Sequence, residues 1–214
     1  MPVWPGDPPV SITKIADQNT YGYYLNKVSC CEHSGTHLGA PVHLLPGKSS
    51  VDQIPPQDLI GPAIKIDISL TCAHNRDYML TDKDIQEWEA RYGKLPQGHI
   101  LLIETGWSAF WSNPVEYLGQ NRGQLHFPGI SRPAMEYLLR CHPRGIGIDS
   151  AGLDGGQSTD FAVNIMAAQN QIFHLENLTN LQALPVTGFT LFIGALSIVH
   201  GSGSPCRVLA QASD

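Results

Sequence analysis

Three of the chain's nine histidines, His33, His37 and His43, fall within the eleven residues His33-Ser34-Gly35-Thr36-His37-Leu38-Gly39-Ala40-Pro41-Val42-His43. Neutral imidazole is a metal ligand and also the side chain that titrates near neutral pH, so histidines spaced by four and six can converge on one ion or one substrate. Gly35, Gly39 and Pro41 bend the backbone between them and mark the segment as turn-rich. His43 lies beyond Pro41, which redirects the chain, and is therefore the histidine freest to move a proton.

The segment resembles the signature of the cyclase family, which includes bacterial kynurenine formamidase and isatin hydrolase. There the pattern His-x-Gly-Thr-His-x-Asp-x-Pro-x-His supplies metal ligands and a catalytic histidine. The resemblance runs on in family order. It takes in the opening Met1-Pro2-Val3-Trp4-Pro5-Gly6-Asp7-Pro8, then Ser50-Val51-Asp52-Gln53-Ile54-Pro55 and Leu59-Ile60-Gly61-Pro62-Ala63. It continues through Gly147-Ile148-Asp149-Ser150 and Leu175-Glu176-Asn177-Leu178 with Asn180-Leu181, and ends at Gly203-Ser204-Pro205-Cys206-Arg207. It implies an α/β fold of the swivelling β/β/α kind, a mostly β core with outer helices. It also implies a site made of His33, His37 and Glu176 as metal ligands, with His43 and Glu176 catalytic.

Two departures stand out. Where the family has an aspartate that ligates metal, and bridges two ions in dinuclear members, this chain has Gly39. A family histidine twelve residues before the glutamate falls on Asn164, whose carbonyl is a poor zinc ligand. The resemblance thus implies at most one zinc or manganese ion per chain, and restoring the carboxylate with Gly39→Asp is expected to raise metal affinity. Two histidines and a carboxylate suffice for such a site, where an activated water attacks a carbonyl of an amide, formamide, lactam or lactone. The same residues can work with no metal as an acid/base pair in a cyclase, dehydratase or lyase. A third reading is a ligand-binding protein that keeps the pocket without catalysis.

The elements that must position these residues are mostly strands. Ala63-Ile64-Lys65-Ile66-Asp67-Ile68 alternates as a half-buried strand, while Ile100-Leu101-Leu102-Ile103 is a continuous apolar run suited to burial on both faces. Gly145–Ile148, Phe189–Ile193 and Arg207–Leu209 add further strands. Thr81 with Asp84 forms a capping box for a helix to about Arg91, Ser131 with Pro133 opens a second, and a third runs from about Asp160 to Asn170. Gly201-Ser202-Gly203-Ser204 lacks the lysine of a phosphate loop and reads as a tight connection between strands. Trp4, Tyr23 and Trp107 sit on loops beyond strand ends, and with Asn164 they are the expected substrate contacts, suited to a small planar or aromatic molecule.

With 214 residues the chain is read as one domain over 1–214, long enough for a sizeable core. A net charge of −6 without a basic run excludes a nucleic-acid partner by electrostatics. No apolar stretch is long enough to cross a membrane and no signal peptide precedes the opening loop, so a cytoplasmic location is expected. Five cysteines without paired spacing imply no disulfide frame, and Cys30 and Cys31 read as small buried residues at a strand end. Because the chain starts at the opening loop, that end is expected to be held by a neighbouring copy in a homodimer or larger closed oligomer.

Overall fold

The apolar runs and turn signals resolve, in a computed structural model describing residues 1–212, into eleven strands and six α-helices among the described residues. In chain order these are β1 (Ser11–Ala16), α1 (Gln18–Tyr21), β2 (Leu25–Ser29), β3 (His37–Gly39), β4 (Ile60–Asp67), α2 (Ser69–His74), β5 (Met79–Leu80) and α3 (Asp82–Tyr92). There follow β6 (Ile100–Glu104), α4 (Pro114–Leu118), β7 (Gly129–Ile130), α5 (Arg132–Leu139), β8 (Gly145–Ile148), α6 (Ala162–Gln169), β9 (Phe173–Glu176), β10 (Phe189–Ala195) and β11 (Gly203–Ala212). Seven of them close into a barrel in the order β10-β11-β3-β9-β8-β6-β4, while β1–β2 and β5–β7 form separate two-stranded pairs. Closure leaves no free edge in the main sheet.

The alternation of side chains through the barrel wall explains its two cores. Leu38, Ala63, Leu102, Phe173, Leu175, Phe189 and Leu191 fill the interior. Ile64, Ile66, Leu101, Ile103, Ile146 and Ile148 point outward against α3, α5 and α6. The parallel run β4-β6-β8-β9 is thereby covered on both faces. The half-buried reading of Ala63–Ile68 is corrected here, since Ala63, Ile64, Lys65 and Ile66 are all buried. Its alternation reflects one polar residue turned inward: Lys65 Nζ meets Glu104 Oε2 at 2.6 Å and donates to the Leu181 carbonyl at 2.8 Å.

The helix starts follow their capping chemistry. Thr81 and Asp84 cap α3 reciprocally, and Ser131 accepts from the Ala134 N–H at the head of α5, with Pro133 in its first turn. The third helix begins at Ala162 after Phe161, which takes a left-handed φ of 48°. Asp154, eight residues upstream, caps it instead, accepting from the Val163 and Asn164 N–H groups. Among the described residues, no helix is long and apolar enough to cross a membrane.

Candidate metal and catalytic site

The site is built on the short antiparallel triplet β11-β3-β9, where the cross-strand partners are Pro205–His37–Glu176 in one row and Gly203–Gly39–His174 in the next. Period-two alternation sends Leu38 and Leu175 into the barrel and sets His37, Gly39, His174 and Glu176 on the opposite face. The two glycines form a floor for two imidazoles. A Cβ on Gly203 would meet His33 Nε2 at 2.7 Å and Nδ1 at 3.0 Å, and a Cβ on Gly39 would overlap three ring atoms of His174, the farthest at 2.8 Å. His33 comes from the turn before β3, and His43 from the 3-10 turn Pro41–His43 after it.

Four imidazoles and one carboxylate therefore converge. The His33 and His43 rings stack with centroids 3.9 Å apart, and His33 meets His37 edge-on at 5.0 Å. Glu176 lies between two of them, Oε2 at 3.3 Å from His37 Nε2 and Oε1 at 3.6 Å from His174 Nε2, and it accepts the Leu153 N–H at 3.2 Å. One potential ligand atom from each of His33, His37 and His174 lies within 4.8 Å of the others.

Hydrogen bonds fix the tautomers of His37 and His33. His37 Nδ1 lies 2.9 Å from the Gly35 carbonyl, an acceptor only, so Nδ1 carries the proton and Nε2 the lone pair. That Nε2 is buried without a hydrogen-bond partner. Ser202 spends its hydroxyl proton on Glu32 Oε2 at 2.5 Å, so its oxygen accepts from His33 Nε2 at 3.1 Å and the lone pair of His33 sits on Nδ1. Outer carbonyl, hydroxyl and carboxylate groups that set the tautomer in this way are what metal-ligating histidines need. An electron pair on His37 Nε2 facing a carboxylate oxygen at 3.3 Å calls for a cation or a proton between them. The residues present thus fit a divalent metal ion.

Electrostatics favour neutral imidazoles at His33, His43 and His174. Burial, then crowding by His43, His37 and His174, pushes the His33 imidazole down to about 2. Burial also holds His174 down, at about 4, against the opposing pull of Glu176. Burial alone would raise the Glu176 carboxyl, but His174 and His37 beside it outweigh that and keep it ionised. The inner edge of His43 is covered, which lowers its imidazole, with Glu176 acting in the opposite sense; the residue as a whole opens to solvent at the cavity mouth.

The cavity above this cluster has a volume of about 700 Å³, within the range of small-molecule sites. Trp4 lines it, packed on Phe127 at 6.2 Å and on Phe161 at 6.3 Å. Asn164 lines it too, held by the Asp154 cap, with its Oδ1 buried and unpartnered. Two of the expected substrate contacts lie elsewhere. Tyr23 is on the exposed β1–β2 hairpin, against Tyr21, because that pair stands apart from the barrel. Trp107 is buried beneath the site, its indole N–H donating to the Tyr117 carbonyl at 2.7 Å, and Tyr117 is the residue that reaches the cavity. Asp149, of the Gly147-Ile148-Asp149-Ser150 block, is buried away from the cavity lining and accepts from the Thr105 N–H and hydroxyl. Cys30 is exposed and Cys31 half-buried at the cavity wall, not in a core. Partial burial and the carboxylates of Asp7 and Glu32 raise the Cys31 thiol, which argues against a thiolate nucleophile.

Sequence reasoning missed His174, Phe161, Tyr117 and the Glu32–Ser202 pair. His174 carried a signal: it shares strand parity with Glu176, two residues on.

Comparison with known proteins agrees with this geometry. The family model for cyclases matches residues 1–155. An isatin hydrolase from Roseibium aggregatum is 34% identical over 95% of this chain and 81% of its own length. A kynurenine formamidase from Salinibacter ruber is 26% identical over 99% of this chain and 92% of its own. A crystal structure of an isatin hydrolase bound to the product analogue thioisatinate superposes with a TM-score of 0.91 at 32% identity, over 95% of this chain and 82% of that one.

Proposed function

The chain belongs to the cyclase family, and we propose that it is a hydrolase cleaving a C–N bond to a carbonyl, an amide or a lactam, in a small planar substrate. The observation that carries this is the group of His33, His37 and His174, whose ligand atoms lie within 4.8 Å of one another beside the ionised Glu176 at the floor of an aromatic-walled cavity. Isatin hydrolase and kynurenine formamidase, its relatives, bear names of the same bond class.

A zinc or manganese ion, at most one per chain, would be held by His33 and His37 beside Glu176, and would supply Lewis-acid polarisation of a carbonyl and a more acidic water. The chain's own residues do the rest. Trp4 and Phe161 grip the planar face of the substrate, and the unpartnered amide of Asn164 meets its polar edge. His43, neutral at physiological pH, takes the proton of the attacking water and returns it to the departing nitrogen. Glu176 orients that water by accepting a hydrogen bond from it. A homodimer or larger closed oligomer of cytoplasmic location completes the reading. Its support is the row of exposed apolar residues on the β1–β2 hairpin, Ile12, Ile15, Tyr24, Leu25 and Val28.

Elemental analysis of the purified protein, paired with turnover of isatin and N-formylkynurenine before and after a chelator, tests the function. About one zinc or manganese per chain, with hydrolysis lost on chelation and restored by the ion, is the expected result. Two ions per chain, or hydrolysis indifferent to chelation, would refute the mechanism. Light scattering that reported a monomer at micromolar concentration would refute the assembly.

A further inference from the structure

We propose that His174 is the third metal ligand of this site and that Gly39 is the residue that admits it. The inference rests on the metal-assisted reading above and goes beyond it by changing the ligand set from two histidines and a carboxylate to three imidazoles.

The argument begins at the strand pair. Gly39 and His174 are direct cross-strand partners on the cavity face, so their side chains compete for one volume. The His174 ring wins it outright: Nε2, Cε1 and Cδ2 would all stand nearer a Cβ at position 39 than the 3.0 Å that real Cβ atoms keep. Any side chain at 39 thus expels the ring. Its Nε2 is the atom nearest to where the first carbon of such a side chain would be, and so it takes up the space that the missing carboxylate side chain would need.

The other side of the same row repeats the device. Gly203, the other strand partner of Gly39, leaves the space taken by the His33 ring. The two glycines side by side let two imidazoles lie flat on the sheet, with His37 rising from the next position. The result is the three-histidine group whose ligand atoms lie within 4.8 Å of one another. Glu176 stands beside this group, its oxygens 3.3 Å from His37 Nε2 and 3.6 Å from His174 Nε2, where its negative charge favours a cation held by the three rings.

The exchange has a chemical consequence. Imidazole suits zinc, whereas manganese favours sites with carboxylate oxygen, so three nitrogens select zinc over manganese more strongly than the two-histidine, one-carboxylate set would. The corollary reverses the expectation drawn from sequence. Gly39→Asp alone should weaken metal binding, since the new side chain and His174 cannot both fit.

The experiment is competitive titration of chelator-stripped protein with zinc and with manganese, alongside the visible absorption of the cobalt-loaded protein, for wild type, His174→Ala, Gly39→Ala, Gly39→Asp and the double variant Gly39→Asp/His174→Ala. The first three variants should each lose zinc affinity by more than about 100-fold, beyond the usual cost of losing an outer hydrogen-bond partner. The double variant should regain affinity and shift its preference toward manganese. Cobalt bands in wild type should change on His174→Ala, and melting of each stripped protein separates misfolding from ligand loss. Unchanged zinc affinity in His174→Ala, or tighter binding in Gly39→Asp alone, overturns the inference and leaves the hydrolase reading standing. Wild-type protein that binds neither ion overturns both.

Discussion

Acidification tests whether the histidine cluster is neutral in the folded protein. His33 and His174 sit at about 2 and about 4 when folded, against 6.5 in the unfolded chain. The folded values are depressed, so as pH falls the unfolded chain takes up these protons first. Both rings contribute no penalty above 6.5. Stability then drains away below it, levelling for His174 near 4 and for His33 near 2. At about pH 5, roughly one and a half units below the unfolded value, each ring costs about 2 kcal/mol at ~1.4 kcal/mol per unit, or about 4 kcal/mol together. For a chain of this size that is a fall in melting temperature of roughly 10 °C. The assay is urea unfolding of chelator-stripped protein at about pH 7 and about pH 5, for wild type and His174→Gln, which should keep only the His33 share, about half the loss. Equal stability of the wild type at the two pH values, or an undiminished loss in His174→Gln, would refute the burial of neutral imidazoles argued here.

Other consequences are more direct. His43→Asn should lower the turnover rate by about 10² to 10⁴ while leaving metal content and melting temperature near those of the wild type, because His43 stands at the mouth with no hydrogen-bonded structural role. Lys65→Met leaves Glu104 charged and unpaired in the barrel, and denaturant unfolding should show a loss of about 3–5 kcal/mol. Trp4→Ala should raise KM for a planar substrate, whereas Trp107→Phe should leave KM unchanged and cost about 1–3 kcal/mol of stability by orphaning the Tyr117 carbonyl. A raised KM in Trp107→Phe would show that the cavity depends on that indole after all.

The parts of this molecule that were legible in the sequence are those where one local rule decides. Thr81 with Asp84 and Ser131 with Pro133 announce helix starts because the cap is a contact between near neighbours. The segment from His33 to His43 was legible for the same reason. What escaped was decided by partners distant in sequence. Trp107 and Trp4 are equally plausible loop aromatics on paper, and only the Tyr117 carbonyl, ten residues on, makes one of them a buried support. Lys65 hides in an alternating strand because its partner Glu104 lies on the neighbouring strand. Gly39 read as the loss of a ligand because a glycine has nothing to offer by itself, and its meaning lies in the ring opposite.

The same strand pairing explains how a cavity face so crowded with imidazoles holds its shape. Strand β3 is three residues long, and a slip of one position would turn His37 into the barrel and Leu38 into the cavity. Leu38 and Leu175, facing each other and fully buried, oppose that slip, each with about 1.5–3 kcal/mol of apolar burial at stake. From the far side the register is pinned by Gly203 on β11, and barrel closure through β10 and β4 fixes β11 in turn. The spacing of His37, His174 and Glu176 is therefore set by the hydrophobic interior of the barrel behind them, not by the loops in front. Substitutions that loosen that interior, such as Leu38→Ala, should degrade the site's affinity for metal as well as the stability of the fold, although Leu38 touches no ligand atom from its side of the sheet.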